Sequence, residues 1–155
     1  MKSARMKPDQ ALRVSFQALS EIAIIGRLAD TALAQTLPAQ LSVAGFGVLN
    51  HFIRLDVERE SPARLARAFQ VSKGAMTYTL QALEKLKYVR IDPDPEDARA
   101  KIVRMTKAGL KARDAAVARI EPGMRALLQA IPGEEFAAPL KFLVKLRQVL
   151  DPARG

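Results

Sequence analysis

Ser61-Pro62-Ala63-Arg64-Leu65-Ala66-Arg67-Ala68-Phe69, then Gln70-Val71-Ser72-Lys73-Gly74, then an amphipathic run to Leu86 is the stretch that decides the fold. Ser61 before Pro62 is an N-cap and first-turn pair, because proline lacks the N–H that a first turn leaves unpaired. Leu65, Ala66 and Phe69 share one helical face, Val71 is an apolar residue in the turn, and Ser72 caps a second helix. In that helix Met76, Leu80, Leu83 and Leu86 form one buried stripe. Tyr88-Val89-Arg90-Ile91-Asp92 and Ala100-Lys101-Ile102-Val103-Arg104-Met105 follow as two strands. Between them Asp92-Pro93-Asp94-Pro95 makes a turn, since both prolines forbid helix and remove ladder donors. The order is short helix, tight turn, longer helix, hairpin: a winged helix-turn-helix.

The outer face of the second helix carries Ser72, Lys73, Gly74, Thr77, Tyr78, Gln81 and Lys85, with no acid before Glu84. Taken alone, such a face is no more than the solvated side of an amphipathic helix. A helix before it and a hairpin after it change the balance, because that combination can present side chains to base edges in a major groove.

Leu65-Ala66, Val71-Ser72-Lys73-Gly74-Ala75-Met76-Thr77, Leu83-Glu84-Lys85 and Asp94-Pro95-Glu96-Asp97-Ala98-Arg99 resemble the multiple antibiotic resistance regulator (MarR) family. Val103-Arg104-Met105-Thr106-Lys107-Ala108-Gly109 continues the likeness into the next helix. The resemblance spans roughly residues 10 to 150 and is sharp from Ser61 to Gly109. It implies a homodimeric transcription regulator, most often a repressor, with Arg99 at the wing tip entering a minor groove. Two positions depart from the pattern. Members often have Gly where Lys87 stands, so Lys87 should end the recognition helix by another route than a left-handed turn. They often have Arg where Ile91 stands, so a contact usually made from that position does not carry over to this chain by resemblance.

Composition bounds the rest. The chain has 155 residues and a net charge of +9, which favours a polyanionic partner and would equally suit a membrane surface or RNA. Without a run of 18 or more apolar residues nothing is expected to span a bilayer. The basic start runs into Pro8-Asp9-Gln10 rather than an apolar signal core, so a cytoplasmic protein is expected. Zero cysteines and one histidine leave no thiol switch, no metal site and no cofactor site, and no reactive constellation for an enzyme.

The expected fold is mostly α with a small β-hairpin wing, in one domain over 1–155. Residues 9–36 and 107–150 are its dimerisation helices, and 42–106 its DNA-binding lobe. In the first helix Leu12, Phe16, Leu19, Ala23 and Gly26 lie along one face, and Val14, Ile24, Ile25 and Leu28 widen the apolar surface. Such a helix wants cover on more than one side, most simply from a second subunit. Ser42 caps a helix to about Leu55 with Phe46, Leu49, Phe52 and Ile53 inward; Gly45 and Gly47 mark close packing or merely weaken its first turn. Asp56 to Glu60 reads as a charged connector. Thr106 caps a long helix whose outside carries Lys107, Lys111 and Arg113, and which Pro122-Gly123 should kink or interrupt. Ile131-Pro132-Gly133 is a break before the last apolar helix, Leu140 to Leu150.

The candidate DNA-binding residues are therefore Ser72, Lys73, Gly74, Thr77, Tyr78, Gln81, Asp97 and Arg99. Asp97 and Arg99 are two apart, so in a strand they share a face, and their exposed ion pair, worth less than ~1 kcal/mol, would hold the guanidinium extended. Arg99 can then enter a narrow A·T-rich minor groove. The family resemblance also implies a small aromatic or phenolic acid effector between the dimer helices and the lobe, with His51, Arg54 and Phe16 as candidate ligand-binding residues. A pseudo-palindromic double-stranded operator is the expected partner. The alternatives are a sequence-blind, nucleoid-type DNA binder and a protein-interaction winged helix.

Overall fold

A computed structural model describes residues 6–97 and 99–151. The basic start before Met6 and the wing residue Ala98 lie outside the described residues. Among the described residues six helices and one antiparallel hairpin run in the order α1 (Pro8–Thr36), α2 (Val43–Leu55), α3 (Pro62–Ala68), α4 (Lys73–Lys85), β1 (Val89–Pro93), β2 (Lys101–Met105), α5 (Lys107–Ala130) and α6 (Ala137–Leu150). A 3-10 turn, Gly133–Phe136, precedes α6. The described residues divide after Thr36 into two compact units. The fold is the mostly helical winged helix-turn-helix expected from the sequence.

The helix starts follow from local chemistry. Ser42, Ser61, Ser72 and Thr106 each accept, through the side-chain oxygen, the backbone N–H three residues on, at 3.0, 3.2, 3.1 and 3.0 Å. Each cap is worth about 1 kcal/mol.

The helix ends are less conventional. Asp56, Gln70 and Lys87 have φ of 51°, 53° and 60°. Each stands just past α2, α3 or α4 and closes its helix with the same pair of hydrogen bonds. For α4, Lys87 N–H donates to Glu84 O at 2.8 Å and Tyr88 N–H to Leu83 O at 2.9 Å. Gln70 with Val71 and Asp56 with Val57 repeat this at the ends of α3 and α2. Lys87 thus does adopt the left-handed turn that glycine usually supplies. The two carbonyls it satisfies outweigh a strain of about 1–2 kcal/mol.

The core of the lobe is built by α2, α3, α4 and the hairpin, with Val48, Leu49, Leu65, Leu80, Leu83 and Val103 fully buried. Met76, Leu80 and Leu83 make the buried stripe of α4. On α2 the inward face is Gly45, Val48, Leu49, His51 and Phe52, whereas Ile53, expected inside, is exposed. Both glycines mark close packing: a Cβ on Gly45 would lie 3.2 Å from Leu83 Cδ2, and one on Gly47 would lie 3.0 Å from Phe69 Cε1. The charged connector is more than a tether. Glu60 N–H donates to Val103 O at 3.0 Å and Val103 N–H donates back at 2.8 Å, which adds a third edge to the hairpin. The buried Glu60 carboxylate lies 3.9 Å from His51 Nε2 and 3.3 Å from Arg64 Nε.

The start of α5 is locked to the end of α4. Thr106 Oγ1 lies 2.7 Å from Lys87 O and 3.1 Å from Tyr88 O, and Thr106 N–H donates to Tyr88 O at 3.0 Å. One turn on, Gly109 is buried so tightly that a Cβ would fall 2.0 Å from Tyr88 O. A further turn on, Arg113 is half-buried rather than on the outside, and donates to Asn50 Oδ1 of α2 through Nε (3.1 Å) and Nη2 (2.9 Å). Pro122 does not interrupt α5, which stays helical to Ala130. A proline there removes one intrahelical hydrogen bond, and the helix carries that loss. Pro139 sits in the first turn of α6, where its missing N–H is of no consequence.

Replacing Gly109 by Ala should destabilise the fold by about 3 kcal/mol or more, because the nearest obstruction is backbone rather than a yielding side chain. A loss below ~1 kcal/mol in urea unfolding would contradict the close approach. Lys87→Gly should stabilise by about 0.5–1 kcal/mol, the relieved strain less the greater entropy of unfolded glycine. A lower urea midpoint for that variant would contradict the assignment.

Candidate nucleic-acid interface

Helix α4 presents a face free of acid in its first turn, so the positive end of the helix dipole and Lys73 act together. Ser72, Lys73, Gly74, Thr77, Tyr78 and Gln81 are all exposed, Tyr78 by 77%. Their chemistry is partly committed already. Ser72 Oγ accepts Ala75 N–H as the cap, which leaves its proton to offer outward. Thr77 Oγ1 donates to Lys73 O at 2.8 Å, so outward it is an acceptor beside a methyl group. Gly74 meets only Ser72 Oγ, at 3.9 Å from an added Cβ; the chain itself would tolerate alanine there, and any demand for glycine comes from what approaches the helix.

Across from α4 lies the wing. Its turn is tied by four backbone donors. Asp94 Oδ1 accepts Glu96 N–H and Asp97 Oδ1 accepts Arg99 N–H, both at 3.0 Å. Ala100 N–H donates to Asp97 O at 2.9 Å, and Asp94 N–H to Ala100 O at 3.0 Å. Asp97 and Arg99 therefore lie in the turn, beyond the strands, and not on one strand face as expected. Proline and aspartate end β1 at Pro93, and the Asp97 carboxylate is spent on the backbone of Arg99. It shapes the turn from which Arg99 projects.

Between the two lies a groove of about 550 Å³. One wall is Lys73, Thr77, Gln81 and Glu84 of α4, the other is Ile91, Arg99 and Lys101 of the wing, and Leu80 is shared with the core. The groove unites Lys73, Thr77, Gln81 and Arg99 from the sequence-derived set; Ser72, Gly74, Tyr78 and Asp97 lie outside its lining. Glu84 Oε1 accepts Ile91 N–H at 3.3 Å, which ties the helix to the wing and occupies one lone pair of the groove's acid. Where the family pattern has arginine, Ile91 gives the groove an apolar side. Arg90 and Arg104 alternate out of register with Ile91 and share Asp92 instead, at 2.7 and 3.5 Å.

Lys101 was missed in reading the sequence. Its signal is register: it pairs with Pro93 and shares a face with Val103 and Ile91, but that follows only once the turn is known to close between Pro93 and Lys101. Of the ligand-binding candidates, His51 is buried against Phe52 and Phe69, with ring centroids 6.3 and 5.6 Å away. Arg54 is exposed in the last turn of α2, and Phe16 is exposed on α1. Among the described residues no group of three or more His, Cys, Asp or Glu side chains could hold a metal ion.

Residues 41–100 match the family model described as the MarR family. No curated protein matches the chain by sequence. Among solved structures, the transcriptional regulator BldR from Sulfolobus solfataricus is similar, with a TM-score of 0.75, 24% identity and coverage of 90% of this chain and 99% of that one. A mutant MarR from E. coli complexed with operator DNA gives a TM-score of 0.67 at 24% identity, over 81% of this chain and 89% of that one. Bordetella bronchiseptica BpsR, whose DNA binding is regulated by 6-hydroxynicotinic acid, gives 0.67 at 21% identity, over 83% and 98%. At these identities the structures speak to the fold.

Proposed function

We propose that this chain, whose residues 41–100 match the MarR family model and which shares the winged-helix fold of its solved structures, is a homodimeric, sequence-specific DNA-binding transcription regulator, a repressor relieved by a small ligand. The observation that carries the reading is the union, in one groove, of the α4 face and the wing arginine: Lys73, Thr77 and Gln81 opposite Arg99. Lys73 can meet a phosphate or a guanine, while Thr77 and Gln81 can reach base edges. Gln81 stands two turns from Lys73, so the three residues follow one line along the helix. Tyr78, large and exposed beside them, offers a ring and a hydroxyl to sugar or base. Arg99 projects from a braced turn, as a minor-groove side chain must.

Dimerisation is supported by apolar surface that the single chain leaves uncovered. Leu12, Phe16 and Leu28 on α1 are exposed, as are Leu140, Val149 and Leu150 on α6. Neither α1 nor α6 has a buried residue. Surfaces of that kind mark interaction sites. A two-fold dimer would set its recognition helices in successive major grooves, about 34–36 Å apart. Bound at a promoter in the cytoplasm, it would exclude polymerase. The effector reading draws on BpsR, and the proposed ligand is an aromatic or phenolic acid. Arg54 is its first candidate for a carboxylate partner, with His51 next. A ligand relieves repression only by its differential affinity for the non-binding arrangement.

The test is selection from random duplexes followed by gel shift against random competitor DNA. The protein should sediment at twice its 17.0 kDa chain mass and enrich a pseudo-palindrome. Lys73→Ala and Thr77→Ala should each weaken binding to that site, by about 1–3 kcal/mol where the side chain meets a base. Enrichment of no sequence would favour the nucleoid-type alternative, and wild-type affinity in both variants would sink the assignment of α4 as the reader.

A further inference from the structure

We infer that Lys101 is a phosphate clamp, holding the one DNA strand that passes between the recognition helix and the wing; the inference rests on the proposed reading of DNA by α4 and Arg99. If α4 occupies a major groove and Arg99 the adjacent minor groove, the sugar-phosphate strand separating those grooves must cross the space between helix and wing. In this protein that space is the groove described above. Its cations are Lys73, Arg99 and Lys101, and its acid is Glu84. Lys73 and Arg99 already serve the helix and the wing tip. Lys101 stands at the first position of β2, exposed, on the face it shares with Ile91, and so projects into the strand's path.

The surroundings suit a backbone rather than a base. Ile91, half-buried, offers an apolar side to deoxyribose and presents no donor or acceptor that would distinguish bases. Lysine is a compact charge on a flexible stem, fit for a phosphate whose position shifts with sequence, where arginine would impose a fork. Glu84 marks where the phosphate track ends. Its Oε1 is held by Ile91 N–H and its charge repels a strand that strays into the last turn of α4.

Lys101→Ala therefore acts on affinity without acting on sequence preference. With the full-length protein, titrations at several salt concentrations on the selected site and on random duplex should show a salt slope lower by about two units per dimer, one per clamp. Affinity near 0.1 M salt should fall on the order of 5- to 10-fold per half-site for both duplexes, leaving their ratio unchanged. Lys101→Arg should restore the slope, since the charge is what the phosphate meets. Glu84→Gln should strengthen both affinities and narrow the ratio between them. A wild-type slope in Lys101→Ala, with DNA binding otherwise intact, overturns the clamp alone. A change in the ratio assigns Lys101 to base reading and overturns it too. Failure of the wild-type protein to bind any duplex overturns the DNA reading on which the clamp rests.

Discussion

The meeting of the Lys87–Tyr88 backbone with the first turn of α5 is the constraint on which the lobe depends. The carbonyls of Lys87 and Tyr88, just beyond α4, need donors once the helix stops. The single hydroxyl proton of Thr106 is within reach of both, nearer to Lys87 O, and its N–H donates to Tyr88 O. The approach this requires leaves no room for a side chain at position 109. Arg113 fixes the next turn onto Asn50, and Glu84 fixes α4 to the base of the wing. Helix, wing and the first two turns of α5 are thus joined by hydrogen bonds and close packing. A displacement of α5 would carry the reading face with it instead of being absorbed at the junction. That property suits the proposed regulator, in which events at a dimer interface would have to be felt at the DNA.

The helix ends show what the fold tolerates in return. Three non-glycine residues sit in left-handed turns, one after each of α2, α3 and α4. Each strained residue lets the chain reverse at once while satisfying two carbonyls. In the case of Gln70 the reversal is the turn of the helix-turn-helix itself. The turn aims Val71 and the Ser72 cap at the start of α4, so the strain is spent where the angle between two helices must be fixed.

Much of this was legible in the residues. All four N-caps, the α4 stripe, the hairpin and the exposed polar face of α4 come from signals that act within a few residues, which is the range over which sequence is informative. Long-range facts were not legible. Lys87 was expected to avoid a left-handed turn because propensity disfavours it, yet the tertiary demand for Tyr88 O at Thr106 overrides propensity. Glu60 looked like a linker charge, since nothing local reveals that Val103, far along the chain, supplies its backbone partner. Ile53, expected inside, is exposed on α2 while His51 packs inward against Phe69, a contact between elements that no local signal reveals. The Asp97–Arg99 spacing suggested a strand; the prolines had already ended it. Lys101 could not be aimed without the register.

The central claim is that α4 reads a major groove while the wing of the same lobe reaches the neighbouring minor groove, twice, about a two-fold axis. Hydroxyl-radical footprinting on the selected duplex tests it most directly. The account predicts two symmetric zones of protection whose centres lie about 10 base pairs apart, each flanked by a separate minor-groove protection that disappears in Arg99→Ala. A single unbroken zone, or flanking protection that survives loss of Arg99, would contradict it.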